Sequence, residues 1–152
     1  MDKKNNLWLK SKRTVRFGET DAAGVMHFQK LFTWCHEAWE ESLLKYGLNP
    51  SDIFPIDTKS PPKIALPIVS CSANYFKPIY TGDILETMIV PKKNNINSFE
   101  IETNFIKKGE NVAMGRIKHI AIDANTRKRA LLPDSIELWL EASCLKCVPE
   151  PI

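Results

Sequence analysis

The sequence predicts a single domain of the α+β class, in which an antiparallel sheet of about five strands packs on one long helix. Three observations lead to this prediction. The chain has 152 residues, which is the size of one domain; one segment has apolar residues at helical spacing; and the segments after it show the alternation of strands. We therefore treat residues 1–152 as one domain, whose topology the pattern alone leaves open.

The first half of the chain predicts a strand followed by the long helix. Residues 12–17 are short and β-prone, which favours a strand. Residues 28–46 have apolar side chains three and four positions apart, which predicts an amphipathic helix that ends at Gly47. Glu41 and Lys45 are spaced to form an ion pair on its polar face.

The second half predicts a β-meander. Residues 48–62 contain four prolines and should form an irregular loop. Enrichment in β-branched and aromatic residues then predicts strands over residues 64–75, 83–90, 98–106 and 112–122. The third of these alternates most clearly and should bury Phe99, Ile101, Thr103 and Phe105. Residues 133–140 form a short amphipathic segment. A meander has an open edge, so pairing of sheets across a dimer is expected.

Composition and motifs exclude several classes of function. A formal net charge of +3 is too small for a dedicated nucleic-acid binder, although it favours a phosphorylated ligand. The glycine spacing fits no classical nucleotide-binding loop, and no serine lies in a nucleophile elbow. Three scattered histidines and a single CxxC do not supply a zinc ligand set. We therefore expect no metal and no bound cofactor.

Hydropathy and cysteine usage bear on location. The amino-terminal residues have no apolar run typical of a secretory signal, and no segment is apolar enough to span a bilayer. We expect a cytoplasmic protein with no membrane partner. In that compartment cysteines stay reduced, so free thiols are expected at Cys35, Cys71, Cys144 and Cys147.

Asp21 is the candidate for chemistry. It lies in a short stretch of small residues just before the predicted helix. A helix start presents unpaired N–H groups and partial positive charge, which can hold the oxyanion formed in acyl transfer. A carboxylate beside those amides can act as a nucleophile or as a general base toward water. Asp21 and the amides near His27 and Phe28 fit this scheme, but Asp21 could instead only cap the turn or helix.

The segment RFGETDAAGVMHFQKLFTWCHEAWEESL, residues 16–43, resembles the start of the hotdog-fold acyl-CoA thioesterases of the 4-hydroxybenzoyl-CoA thioesterase type. The resemblance extends over residues 12–137. Within the family, Thr20–Val25 and Cys35–Ala38 look most like the 1,4-dihydroxy-2-naphthoyl-CoA hydrolases of phylloquinone biosynthesis. The resemblance implies a fold in which the sheet wraps around a central helix. It also implies an activity, the hydrolysis of an aromatic acyl-CoA thioester to the free acid and coenzyme A.

The resemblance also implies roles for particular residues. Asp21 would be the catalytic carboxylate, and the backbone amide of Phe28 would polarise the thioester carbonyl. The site would lie at a subunit interface of a homo-oligomer, either a dimer or a tetramer, with the far wall contributed by the second subunit. The expected substrate-binding residues are Gly24, His27, Pro67 and Val69.

Several alternatives remain open from sequence alone. Lys92 and Lys93 could contact the phosphates of coenzyme A or only form a solvated turn. His27 could contact hydroxyls of the acyl ring or only pack, His36 is expected to be structural, and Glu19 should point away from Asp21. The alternative functions are a thioesterase for short or medium acyl-CoA or acyl-carrier protein, and a non-catalytic subunit that binds an acyl ligand.

Overall fold

A computed structural model describes residues 6–144, and within them five antiparallel strands form one sheet. In chain order, these strands are β1 (Lys10–Thr14), β3 (Ile68–Tyr75), β4 (Ile84–Asn95), β5 (Ser98–Lys107) and β6 (Glu110–Ile120). Their order across the sheet is β1-β4-β5-β6-β3, so β1 and β3 form its edges. Two short strands, β2 (Ile64–Ala65) and β7 (Ile122–Asp123), pair separately. The predicted α+β class is confirmed.

The long helix, α1 (Lys30–Tyr46), contacts all five strands of the sheet, which therefore curves around it. Most of its predicted stripe is buried, whereas Phe28 lies before the helix and is 59% exposed. The residues that face inward are Leu31, Trp34, Cys35, Ala38, Trp39, Ser42 and Leu43. The predicted pair between Lys45 and Glu41 forms at 2.9 Å. The helix ends at Gly47, whose φ of 105° is a left-handed conformation typical of glycine at this position. The sequence placed its start two residues too early, at Phe28.

Gly115 on β6 allows the sheet to approach α1 closely. A Cβ atom at Gly115 would lie only 2.5 Å from the Sγ of Cys35. Burial raises the pKa of Cys35 to about 12, so this thiol stays protonated and unreactive near neutral pH. On β5, the four residues predicted to face the core are all buried, namely Phe99, Ile101, Thr103 and Phe105.

Several strand boundaries differ from the prediction. The strand predicted to end at residue 90 continues to Asn95, and the one predicted over residues 112–122 is divided into β6 and β7. Two further differences have a clear cause. The first strand covers residues 10–14 rather than 12–17, because the chain turns into a 3-10 helix at Phe17–Glu19. The strand predicted over residues 64–75 is divided at Leu66–Pro67. Proline has no N–H to donate to a strand ladder, so β2 ends there and pairs with β7, whereas β3 starts afterwards and pairs with β6.

Two further helices lie outside the sheet. The predicted irregular loop contains a one-turn helix, α2 (Pro50–Ile53), which Asn49 caps by accepting from the Ser51 amide at 3.1 Å. The predicted amphipathic segment forms α3 (Asp134–Ser143). Trp139 of α3 is fully buried and shares a core cluster with Trp39 of α1. The carboxyl-terminal half of α1 is therefore covered by α3.

The free thiols predicted at Cys35 and Cys71 are confirmed. The thiol predicted at Cys144 stays a prediction, and Cys147 lies outside the described residues. No helix within residues 6–144 is long and apolar enough to cross a membrane.

Candidate active site at the start of the central helix

Asp21 lies in a tight loop between Thr20 and Met26, which pair as an isolated β-bridge. The Asp21 amide donates to the Val25 carbonyl at 2.9 Å, and the Gly24 amide donates to the Asp21 carbonyl at 3.0 Å. Gly24 has a φ of 80°, which glycine adopts without strain. Gly24 thus shapes the backbone of the loop that holds the carboxylate.

The Asp21 carboxylate has one engaged oxygen and one free oxygen. Its Oδ1 accepts a hydrogen bond from the Ala23 amide at 2.8 Å. No donor among residues 6–144 reaches its Oδ2. Asp21 is half-buried. The side chain therefore closes the turn and still presents an oxygen for another contact, so a turn-closing role and a chemical role are compatible.

The four residues from His27 to Lys30 make the transition into α1. The His27 amide donates to the Glu19 carbonyl at 2.8 Å, and the Lys30 amide donates to the His27 carbonyl at 2.9 Å. The Gln29 amide donates to Nδ1 of the His27 ring at 3.3 Å. The Phe28 amide has no acceptor anywhere in the described part of the chain. It is the one open donor of this turn.

The direction of the Phe28 N–H follows from its peptide unit. The His27 carbonyl points into the first turn of α1, because it accepts from the Lys30 amide. A trans peptide is planar with its N–H opposite its C=O, so the Phe28 N–H points away from the helix. An open donor therefore projects from the positive end of a 17-residue helix.

Asp21 and Phe28 line the same open groove, which has a volume of about 400 Å³. The remaining lining residues are Val25, Met26, Tyr75, Phe76, Lys77, Pro78 and Ile79. Phe28 and Phe76 are 59% and 54% exposed, so aromatic surface is accessible beside the carboxylate. Such walls suit a flat apolar ligand.

Glu19 anchors the Asp21 loop to the rest of the domain. Its Oε1 accepts from Arg13 of β1 at 2.8 Å and from the Trp34 indole of α1 at 2.9 Å, and its Oε2 accepts from the Arg16 amide at 2.8 Å. Burial works to raise the pKa of Glu19, but these hydrogen bonds and the Arg13 charge outweigh burial and lower it. Glu19 is thus engaged away from Asp21, in agreement with the sequence.

His27, which precedes α1, and His36, which lies in α1, both make contacts within the fold. The His27 ring stacks on the Phe28 ring with centroids 4.8 Å apart, and its Nδ1 is occupied by the Gln29 amide. His36 pairs with Glu40 at 2.8 Å. A contact between His27 and an acyl group stays a prediction, and it would use Nε2, the ring nitrogen that carries the proton in this tautomer.

Other predicted site residues lie apart from Asp21 in the same chain. Val69 and Pro67 lie at the start of β3, and Val69 is six residues from the groove residue Tyr75, about 20 Å along a strand. Lys92 and Lys93 lie near the far end of β4, where Lys93 pairs with Glu137 at 2.8 Å. A single chain does not bring these four residues to the Asp21 loop, so their predicted roles depend on a second subunit.

The groove also contains residues that the sequence did not single out. Tyr75 and Phe76 end β3 and leave it, and Lys77, Pro78 and Ile79 continue along the groove. Their signal in the sequence is only that of a strand followed by a turn. The hydrogen bond from the Met26 amide to the Ile79 carbonyl, at 2.7 Å, shows how the fold joins them to the Asp21 loop. Within residues 6–144, no three acidic, histidine or cysteine side chains cluster as a metal site.

Comparisons with known proteins identify the family. Residues 15–140 match the thioesterase-like superfamily. A 1,4-dihydroxy-2-naphthoyl-CoA hydrolase of Prochlorococcus marinus strain MIT 9313 is 54% identical over 138 residues, which is 90% of this chain and 91% of the relative. A protein of the same name from Synechococcus sp. strain WH7803 is 48% identical over 148 residues, covering 96% of this chain and 97% of the relative.

Solved structures show the same fold. A crystal structure of a protein from Prochlorococcus marinus strain MIT 9313 superposes with a TM-score of 0.89 at 51% identity, covering 94% of this chain and 99% of the other. A 1,4-dihydroxy-2-naphthoyl-CoA thioesterase from Synechocystis gives a TM-score of 0.79 at 26% identity, covering 94% and 98%. With its five-stranded sheet curved around α1 and its match over nearly the whole length, this chain belongs to the thioesterase-like superfamily of hotdog proteins.

Proposed function

We propose that this protein hydrolyses 1,4-dihydroxy-2-naphthoyl-CoA to the free acid and coenzyme A, with Asp21 and the Phe28 amide as the catalytic groups. The observation that carries the proposal is the open Phe28 N–H at the start of α1, on the same groove as the free oxygen of Asp21. Coenzyme A is part of the substrate, and the proposed reaction uses no bound cofactor.

The open amide suits the developing charge of thioester hydrolysis. When a nucleophile adds to the thioester carbon, the carbonyl oxygen becomes an oxyanion. A donor fixed at the positive end of a helix stabilises that oxyanion more than the neutral carbonyl, and one such donor contributes about 3 kcal/mol in known enzymes. The Phe28 amide needs no rearrangement to act, because the surrounding hydrogen bonds already fix its peptide.

Asp21 can supply the nucleophile by either of two routes. In one, its carboxylate attacks the thioester carbon, the C–S bond breaks, and coenzyme A leaves as a thiolate that takes a proton from water. Hydrolysis of the resulting mixed anhydride then restores the carboxylate. In the other, Asp21 accepts a proton from a water molecule that attacks the carbon directly. The C–S bond then breaks, and the leaving thiolate of coenzyme A takes that proton, which restores the carboxylate.

The walls of the groove support an aromatic acyl group. Phe28, Tyr75 and Phe76 all have exposed ring surface there. Aromatic rings prefer offset-stacked or edge-to-face packing against another flat ring, and a flexible alkyl chain cannot pack in this way. The names of the relatives that share about half of this sequence point to the dihydroxynaphthoyl group among such acyl groups.

The site is proposed to be shared between subunits of a homo-oligomer. The edge strand β3 has its backbone unpaired on one side, and Ile68 and Val69 on it are 44% and 50% exposed. Exposed apolar edges of this kind are normally covered. A second β3 running antiparallel would bring Pro67 and Val69 of one subunit toward the Tyr75 end of the other. Lys92 and Lys93 remain candidates for coenzyme A phosphate contacts in that assembly.

Thiol release tests the activity and its substrate. The substrates are 1,4-dihydroxy-2-naphthoyl-CoA, 4-hydroxybenzoyl-CoA and palmitoyl-CoA, each assayed with wild type and Asp21→Asn. We expect the naphthoyl ester to be cleaved preferentially and Asp21→Asn to lower kcat by at least about a hundredfold. Preference for palmitoyl-CoA would favour an aliphatic thioesterase, and binding without turnover would favour the non-catalytic subunit.

Asp57→Asn is a matched control for the loss of one carboxylate. Asp57 is exposed, and its Oδ1 accepts the Lys59 amide at 2.9 Å, the same two-residue turn that Asp21 makes with Ala23. Asparagine can keep this turn bond in both variants, so only the charge is lost. Wild-type rates in Asp57→Asn and loss of turnover in Asp21→Asn would assign the effect to chemistry rather than to turn stability.

Mixing inactive variants tests the shared site. Light scattering should show a dimer or tetramer for wild type, and Val69→Lys should weaken the assembly or turnover. Subunits of Asp21→Asn and Val69→Lys, mixed and allowed to exchange, can form one site with both native residues. Recovery of about a quarter of wild-type activity is expected, because random exchange makes half of the dimers mixed and one of the two sites in each has both native residues. No recovery would argue for sites confined to single chains.

The cytoplasmic location and the place in phylloquinone biosynthesis are part of the same proposal. Cell fractionation checks the first. For the second, deletion of the gene should lower phylloquinone while its naphthoyl-CoA precursor accumulates.

A further inference from the structure

Tyr75 makes a long-range contact at the candidate active site. Its hydroxyl donates to the Phe28 carbonyl at 2.7 Å, across 47 positions of sequence. Tyr75 is the last residue of β3 and is paired with Ala113 of β6, so the sheet fixes its backbone. The Phe28 carbonyl belongs to the turn that presents the open amide. The phenol therefore ties this turn to the sheet.

The Phe28 carbonyl depends on the phenol for a partner. Gln29 is the N-cap of α1, and the N-cap carbonyl is the first to accept a bond from a helix amide. Phe28 precedes the N-cap, so its carbonyl lies outside the helix ladder. Within residues 6–144, the Tyr75 hydroxyl is the donor that reaches it.

Hydrogen bonds fix both peptide units that flank the Phe28 Cα atom. The unit before Phe28 carries the open N–H and is fixed through the His27 carbonyl, which accepts from the Lys30 amide. The unit after Phe28 accepts from the Tyr75 hydroxyl at 2.7 Å. Its Gln29 N–H makes the longer bond of 3.3 Å to the adjacent His27 ring, so the phenol is its tie to the sheet. Together these bonds restrict both backbone dihedrals of Phe28, and those dihedrals set where its N–H points.

The Tyr75 hydroxyl is suited to act as a lasting donor. Burial, together with the nearby Cys35 thiol, raises the pKa of Tyr75 above its usual value, so the phenol stays protonated over the neutral range. The ring is 46% exposed and lines the groove beside Asp21. The Tyr75 side chain thus reaches the Phe28 turn from the wall of the groove and leaves the groove open.

We propose that Tyr75 is a positioning residue, whose hydroxyl holds the Phe28 amide in the direction needed to bind the oxyanion. The inference rests on the proposed thioesterase activity. An oxyanion forms only after the nucleophile has added, so a misdirected amide weakens transition-state binding more than substrate binding. Loss of the hydroxyl should therefore lower kcat and leave KM nearly unchanged.

Tyr75→Phe tests this proposal, with Tyr80→Phe as the matched control. Tyr80 lies five residues further on, is 47% exposed, and packs its ring on the Lys107 ammonium at 5.6 Å, a contact that phenylalanine keeps. We expect Tyr75→Phe to lower kcat by about tenfold, the size expected for one hydrogen bond, with KM within about twofold. Tyr80→Phe should match wild type in both constants.

A fluorinated tyrosine at position 75 provides the second measurement if Tyr75→Phe does not fold. Fluorination of the ring preserves its shape and lowers the phenol pKa, so the side chain donates at low pH and loses its proton at higher pH. We expect kcat of this variant to fall as the phenol ionises, at a pH where wild type shows no change. A pH profile that matches wild type would overturn the proposal.

Three other outcomes would also overturn the positioning role. Equal kcat for Tyr75→Phe and Tyr80→Phe, with an active wild type, would refute it while leaving the thioesterase activity intact. A loss carried by KM would mean that the phenol contacts the substrate itself. No turnover by wild type on any of the three esters would refute the proposed function, and the positioning role with it.

Discussion

The two ends of α1 differ in how their backbone and aromatic side chains are used. At the carboxyl-terminal end, the Gly47 amide donates to the Leu44 carbonyl and the Leu48 amide donates to the Leu43 carbonyl, each at 3.0 Å, so the end is closed. At the amino-terminal end, the Phe28 amide is open in the described structure. One helix is thus closed by hydrogen bonds at one end and presents an open donor at the other, the donor that we propose binds the substrate.

The aromatic residues follow the same division. Near the closed end, Trp39 and Trp139 are 2% and 0% exposed, and the Trp139 indole donates to the Ser42 hydroxyl at 3.1 Å. Near the open end, Phe28 and Phe76 are more than half exposed. Substitutions at the closed end should therefore alter the stability of the fold, whereas substitutions at the open end should alter turnover.

The largest expected effect comes from removing the Phe28 N–H itself. Cys35 is a natural ligation point, so a synthetic peptide of residues 1–34 with an ester at Phe28 can be joined to residues 35–152. We expect kcat to fall about 100- to 1,000-fold, the range for loss of one oxyanion donor. An ester at Thr33 removes a helix amide that bonds within α1 and should lower stability but not kcat. An equal loss of kcat in the Phe28 and Thr33 esters would show that the open Phe28 N–H has no special role in turnover.

Acid should destabilise the closed end through His119. Burial lowers the pKa of His119 to about 4, and its Nδ1 donates to the Leu66 carbonyl at 2.9 Å. The unfolded chain binds this proton near pH 6.5 and the folded chain only near pH 4, so stability is complete above pH 6.5 and falls between pH 6.5 and 4. The full loss is about 3 kcal/mol.

Urea unfolding of wild type and His119→Gln at several pH values measures this effect. The variant should be less stable at pH 7 and should lose less stability than wild type on acidification. Parallel curves for the two proteins would show that other groups cause the acid sensitivity.

Gly115→Ala should destabilise the contact between α1 and the sheet. The new Cβ would meet the Cys35 Sγ at 2.5 Å, and overpacking of this kind costs about 1–3 kcal/mol. In Gly115→Ala/Cys35→Ala the colliding sulfur is gone, so the double variant should be more stable than the sum of the single changes predicts. Additive losses in chemical denaturation would show that the collision is not the cause.

Ser42→Ala should have the smallest effect and should be confined to the closed end. It leaves the buried Trp139 N–H without its acceptor, at a cost of about 1–2 kcal/mol. Adding Trp139→Phe removes the unpaired donor, so the double variant should lose less than the two single losses combined. Thermal melts and thiol-release assays together check that kcat stays at the wild-type value.

Local periodicity predicted much of the fold, because helices and strands reveal their buried faces at fixed spacing. The stripe on α1 and the alternation from Phe99 to Phe105 are examples. The resemblance to a family, rather than spacing, supplied the roles of Asp21 and Phe28. Tyr75 was not predicted, because its contact joins two segments 47 residues apart and neither carries a pattern that indicates the other. The proposed contribution of a second subunit is likewise beyond any local pattern, because it would join residues of two different chains.

Glu19 holds the Asp21 loop in position through residues that do not line the groove, so the position of the Asp21 carboxylate and the shape of the groove depend on different residues. Glu19 binds Arg13 and Trp34 and so fixes the Asp21 loop to elements of the core. Phe76 lies on the opposite segment and takes no part in that anchor. Substitutions there can widen or narrow the groove while the loop keeps its place. If the proposed roles hold, the scaffold can acquire new acyl preferences in small evolutionary steps, each of which leaves Asp21 and the Phe28 amide in place.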